Sequence, residues 1–209
     1  MSETAHPDLN LTPDMAAEAE VLPPLNKKRP PRFSTSRLTM IAMMAAVIAI
    51  MAQIAIPATV PVTLQTAAMF CCIIILPPRD ALPAICTYIL LGAIGLPVFA
   101  NFKGGFGVLL GPTGGFILGM IFGTYIGGLL LKGRYSLPRA VTACVIADAV
   151  CLILGALQFS LVMSTSVKAA FALACLPYIP FDILKLVLFL PLAHKVRSRL
   201  QKQYPRNFV

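Results

Sequence analysis

Tryptophan is absent, histidine occurs twice, and only 12% of the 209 residues are charged. Soluble domains carry about 25% charged residues. Half that share, with 58% hydrophobic residues and a mean hydropathy of +0.84, excludes an ordinary soluble domain and points to an integral membrane protein. Without Trp, any aromatic belt at the membrane interfaces must be built from Phe and Tyr. His6 and His194 lie towards the two chain ends, and the six cysteines at 71, 72, 86, 144, 151 and 175 form no Cys-x-x-Cys. A zinc site and a disulfide framework are therefore not expected, and the cysteines read as buried free thiols. The vicinal Cys71–Cys72 pair lacks the partners a membrane thiol oxidoreductase would need. No Gly-x-x-x-x-Gly-Lys-Ser/Thr run occurs, so no ATP site is expected, and no Gly-x-Ser-x-Gly elbow supplies a nucleophile. Asp148 and Asp182 lack the Gly-x-Gly-Asp context of an intramembrane aspartyl protease. No catalytic residue, metal ligand or cofactor is assigned.

What is present is a series of apolar runs between polar ends. Residues 1–37 are acidic first (Glu3, Asp8, Asp14, Glu18, Glu20) and then basic (Lys27, Lys28, Arg29, Arg32, Arg37). They read as a disordered cytoplasmic tail ending in a positive anchor. Residues 38–195 read as six transmembrane helices, and 196–209 as a basic cytoplasmic tail. The expected spans are Leu38–Ile56, Leu64–Leu76, Ala81–Leu96, a fourth from about Pro112 to Leu131, Ala140–Leu161 and Phe171–Ala193. Pro57–Thr63 and Ser164–Ala170 read as loops. The least regular stretch, Gly95–Gly115, is too rich in Gly and Pro to be one helix, and its apolar content argues that it packs inward.

Charge sets the expected topology. With six spans and both termini in the cytoplasm, fourteen of the seventeen Lys and Arg fall inside, only Lys103 and Lys168 fall outside, and Lys185 sits in a span. That asymmetry follows the positive-inside pattern, so the net charge of +9 is topological and nucleic-acid binding is not implied.

The anomaly in this pattern is Leu176-Pro-Tyr-Ile-Pro-Phe-Asp-Ile-Leu-Lys185. Asp182 and Lys185 stand three residues apart, on one face of a helix. Ionisable groups in such a segment cost roughly 2.5–3.5 kcal/mol each on insertion scales, so they face a partner, a cavity or a ligand. The topology puts them in the outer half, level with Thr63, Gln65 and Asn101. A structural ion pair and a binding site for a small polar or charged solute both fit this arrangement. Asp148, in the fifth span and nearer mid-bilayer or the inner half, has no assigned role. In the first span Ala42/Ala46 and Ala45/Ala49 form two small-xxx-small registers, suited to packing within the chain or against another helix.

Four stretches together resemble the BioY family, the biotin-binding S-components of energy-coupling factor (ECF) transporters. They are Val60-Pro-Val-Thr-Leu-Gln-Thr66, Leu91-Gly-Ala-Ile-Gly-Leu-Pro-Val-Phe-Ala100, Gly104-Gly-Phe-Gly-Val-Leu-Leu-Gly-Pro-Thr-Gly-Gly115 and Ile179-Pro-Phe-Asp-Ile-Leu-Lys185. The resemblance implies an all-α S-component fold in a bacterial cytoplasmic membrane, capturing biotin from the outer side. It matches Asp182 and Lys185 to the family's last-helix pair, with Asn101, Gln65, Thr63 and Gly105 in the contributing loops. Phe99 and Tyr178 would wall the ligand's ring. The resemblance also implies that Ala42, Ala45, Ala46 and Ala49 dock a transmembrane coupling subunit, which works with ATPase subunits. An S-component for another vitamin, or a membrane-embedded enzyme, are the alternatives.

Overall fold

In a lipid environment every backbone polar group must be satisfied internally, which favours helices for the apolar runs. The structure, a computed structural model, describes residues 35–56, 60–133 and 135–204. Residues 1–34 of the expected 1–37 tail, residues 57–59 at the start of the Pro57–Thr63 loop, Arg134 and residues 205–209 lie outside the described residues.

Helix α1, Thr35–Gln53, turns Met40, Met44, Ala45, Ile48 and Ala52 inward. A two-stranded antiparallel ribbon follows: β1 (Ala55–Ile56), where the first span was expected to end, pairs with β2 (Val62–Thr63), which lies in the expected loop. Helix α2, Gln65–Ile75, is buried on nearly every face, as suits a helix apolar all round. It packs on its neighbours α1, α3 (Pro78–Ala93), α5 (Gly114–Leu131), α6 (Leu137–Val162) and α8 (Ile179–Gln203). The Gly95–Gly115 stretch contains a 3-10 turn at Ala100–Phe102 and a short helix α4, Phe106–Leu110, before α5 begins. Helix α7, Val167–Ala174, starts inside the expected Ser164–Ala170 loop.

The expected single span over Phe171–Ala193 is broken. α7 and α8 meet at a bend of 46°, and α8 runs on to Gln203. Pro177 and Pro180 explain the break: each lacks a backbone donor, and Pro180 instead sits in the first turn of α8. Among the described residues three helices, α1, α5 and α6, are long and apolar enough to cross a membrane, and the bent α7–α8 pair makes a fourth when counted as one span. α2 has 11 residues and α3 has 16, shorter than the ~20 residues of a full span.

The tightest seam joins α5 to α6. Gly115, Gly119, Gly123 and Gly127 recur every fourth residue along α5, and the α6 backbone lies directly on them. A Cβ on Gly119 would stand 2.7 Å from Cys151 Cα, and one on Gly127 would stand 3.1 Å from the Ala143 carbonyl oxygen. Small residues let helices approach where lipid supplies no hydrophobic drive, so dispersion does the work.

At the end of the bundle away from the 3-10 turn, two charged contacts tie helices together. Arg37 of α1 forms a salt bridge with the fully buried Asp80 of α3. Arg197 of α8 donates from Nη1 to the carbonyl oxygens of Ile74 at 2.7 Å and Leu76 at 3.5 Å, satisfying acceptors left over where α2 ends. Its guanidinium lies 4.2 Å from the centre of the Tyr135 ring, whose hydroxyl is 3.0 Å from His194 Nδ1. The basic residues expected to be topological anchors thus include two that hold the fold.

Gly119→Leu is expected to destabilise the protein by at least ~1–3 kcal/mol, because the α6 backbone cannot yield to an added side chain. Gly128→Ala, where the new Cβ meets nothing nearer than 3.4 Å, is expected to be near neutral. Thermal unfolding of the two variants in detergent checks the contrast.

Candidate binding site

The β-ribbon, the start of α2, the 3-10 turn, α4, the start of α5, the middle of α6 and the α7–α8 break enclose a cavity of about 390 Å³. Small-molecule pockets fall in the range of roughly 300–1,000 Å³. Asp182 and Lys185, on the first two turns of α8, line it and are only 5% and 7% exposed. Lys185 Nζ lies 2.7 Å from Asp182 Oδ1 and donates to Thr66 Oγ1 at 3.0 Å, while Thr66 lies 2.9 Å from the same Asp182 oxygen. An acid, a base and a hydroxyl thus close a three-membered polar cluster across α2 and α8. Pairing is what a buried ion requires, since an isolated one would cost several kcal/mol.

Two glutamines hold the irregular segment over this cluster. Gln53, at the end of α1, donates from Nε2 to the carbonyls of Ala49 and Val98, each at 3.1 Å. Its Oε1 accepts from the Phe102 backbone N–H at 2.8 Å. Gln158 of α6 donates to the carbonyls of Leu109 at 2.7 Å and Gly111 at 2.8 Å. Between these pins Asn101 and Phe102 both take left-handed backbone conformations, φ 59° and 55°. Asn tolerates this region better than most residues, whereas a Phe there is a local cost that the surroundings must offset. On the other wall the Tyr178 hydroxyl donates to the Val60 carbonyl, tying the α7–α8 break to the ribbon segment.

A model of the BioY family matches residues 25–202. The chain belongs to the BioY family. It is 37% identical over 158 residues to the protein named biotin transporter BioY of Thermotoga maritima, covering 75% of this chain and 90% of that one. It is also 37% identical over 153 residues to biotin transporter BioY2 of Lactococcus lactis, covering 72% and 84%. Among solved structures, the S-component for biotin from an ECF-type ABC transporter superposes with a TM-score of 0.74 and 25% identity, covering 83% of this chain and 96% of that one. The fold is that of an ECF S-component, and this BioY chain is a multi-pass membrane protein.

Within that fold, Thr63, Gln65, Phe99, Asn101, Tyr178, Asp182 and Lys185 all line this same cavity. Phe99 is nearly fully buried, edge-on to Tyr88 with ring centroids 5.6 Å apart, so it makes a rigid wall. Gln65 points its Nε2 at the thioether sulfur of Met120 at 3.0 Å, a weak acceptor. Gly105 is the exception: it borders α4 at φ 96° and is not among the residues lining the cavity. Its role there is to turn the backbone, which few other residues could do.

Thr66 and Asp148 also line the cavity and are not among the expected site residues. For Thr66 the signal was its place beside Gln65 at the mouth of a buried helix. For Asp148 it was the cost of an acid inside a span. The two alanine registers of α1 separate cleanly: Ala45 is 2% exposed and Ala49 packs on the core, while Ala42 and Ala46 face outward.

Lys185→Met alone is expected to lower the stability of the ligand-free protein by ~3–5 kcal/mol, because it strands the Asp182 carboxylate. Adding Asp182→Asn should recover part of that loss. A double-mutant cycle of thermal or denaturant unfolding measures it; additive losses would mean the pair does not interact.

Proposed function

We propose that this protein captures biotin as the substrate-binding subunit of an ECF-type transporter, with both termini cytoplasmic and six membrane-crossing segments. The observation that carries this reading is the Asp182–Lys185–Thr66 cluster, facing an apolar-walled cavity of fitting size. Biotin presents two ureido N–H donors, a ureido carbonyl, an apolar thioether ring and a carboxylate tail. The contacts of Lys185 and Thr66 converge on Asp182 Oδ1, so Oδ2 can accept a ureido N–H. Lys185 suits the ureido carbonyl or a carboxylate. Asn101 and Gln65 supply further amides, and Phe99 and Tyr178 flank the ring. Among the described residues no group of three or more His, Cys, Asp or Glu could hold a metal. We read the protein as a carrier without a catalytic step.

The sorting of charge supports the orientation. Arg37, Arg79, Lys132, Arg139, Lys195, Arg197, Arg199 and Lys202 lie at the end of the bundle away from the cavity, while Lys103 and Lys168 lie at the cavity end. The positive-inside pattern puts the cavity on the outer side. The outward Ala42 and Ala46 leave a shallow face on α1 for the transmembrane coupling subunit, through which ATPase subunits would drive release; Ala45 and Ala49 support that face from within.

Asp182→Asn and Lys185→Met should each weaken binding of radiolabelled biotin to the purified protein by tenfold or more. Retention of affinity within about twofold, roughly 0.4 kcal/mol, by both would overturn their assigned roles. A competition series of biotin, thiamine, riboflavin and niacin separates the vitamins, since only biotin should displace the label. Ala46→Leu should impair uptake by cells and spare binding, and equal loss of both would point to misfolding instead.

A further inference from the structure

Asp148 stands on the cavity-facing side of α6 together with Cys151 and Leu152, one helical turn along. Its position is set by backbone packing. The neighbouring Ala147 sits on Gly123 of α5, and Cys151 sits on Gly119, so the turn that carries Asp148 has little freedom to shift. Asp148 Oδ1 is fully buried and has no hydrogen-bond partner among the described residues. The donors nearest in kind are committed elsewhere: Lys185 to Asp182 and Thr66, Tyr178 to Val60, and Gln158 to the α4 segment. A buried acceptor left unpaired is costly; Asp148 lines the cavity, and its second oxygen, Oδ2, which is not fully buried, is the one that a ligand's donor can reach.

We propose that Asp148 is a specificity-determining residue that accepts a hydrogen bond from a donor N–H of the bound ligand, opposite the one taken by Asp182. This rests on the biotin reading: a cyclic urea carries two N–H groups on opposite sides of its carbonyl, and the cavity presents two carboxylates, on α6 and α8. Asp182 is the paired acceptor, held by Lys185 and Thr66. Asp148 is the unpaired one, so it contributes to binding without contributing to the fold of the empty protein. It also rejects a ligand that offers an acceptor or a methyl group at that place, since the carboxylate would stay buried and unsatisfied.

The test is equilibrium binding of biotin and of its two ureido N-methyl isomers to the purified protein, for the wild type, Asp148→Asn and Asp148→Ala. Wild-type affinity for biotin itself tests the underlying reading; without it that reading fails first. Given that affinity, Asp148→Ala should weaken biotin binding about tenfold or more. It should also reduce the discrimination against one N-methyl isomer to within about twofold, leaving discrimination against the other intact. Thermal unfolding of the ligand-free variants should show no loss of stability. Unchanged biotin affinity in both variants would overturn the assignment. So would a uniform loss for all three ligands accompanied by a lower unfolding temperature, which would make Asp148 a structural residue. If Asp148→Ala does not fold, Asp148→Asn supplies the ligand comparison, and unchanged biotin affinity and N-methyl discrimination in that variant overturn the assignment.

Discussion

An acid and a base left separately in an apolar bundle would each cost several kcal/mol, and the way Asp182 and Lys185 avoid this organises the site. They bond to each other at 2.7 Å and share Thr66, which belongs to a different helix. The cluster therefore locks the start of α8 to the start of α2, the helix on which most of the others pack. Continuum arguments make such a pair weak as a source of stability, because desolvation offsets most of the attraction. Its value lies in holding charge ready where a polar solute can meet it.

The rest of the fold supplies what that cluster needs. The glycine seam sets α6 hard against α5, which brings Asp148 and Cys151 to the cavity wall. Gln53 and Gln158 anchor the irregular segment at either end, meeting four backbone polar groups of a stretch that forms no long helix. At the far end, Arg37 with Asp80 and Arg197 with the end of α2 fasten the helices on which the cavity rests. Pro177 and Pro180 break the last membrane segment at the level of the cavity. The break lets the Tyr178 hydroxyl reach Val60.

Much of this was legible in the amino-acid order. Apolar runs mark α1, α2, α3, α5 and α6 to within a few residues, because length and hydropathy dictate them. The last expected span, by contrast, missed the break and stopped well short of the end of α8. The Asp182/Lys185 pair marks the site because charge inside a span must be explained. Convergence of Thr63, Gln65, Asn101 and the α8 pair followed from charge topology and from the four motif stretches. The break between α7 and α8 was signalled by Pro177 and Pro180 but is masked in a hydropathy reading, where both sides are equally apolar. The Gly115–Gly127 repeat was visible as a spacing, yet only the partner helix shows what it packs against. Arg197 counts as one more basic residue in sequence, and its burial depends on where α2 ends. Which alanine register of α1 turns outward is likewise decided by neighbours distant in sequence.

The central claim is that Asp182 and Lys185 act on a ligand in this cavity as well as on each other. A structure of the protein bound to biotin tests it most directly. The account predicts the ureido ring inside the cavity, against Phe99, with an N–H within hydrogen-bond distance of the Asp182 carboxylate. Biotin bound elsewhere, or bound in the cavity with its polar groups turned away from the α8 pair, would contradict it.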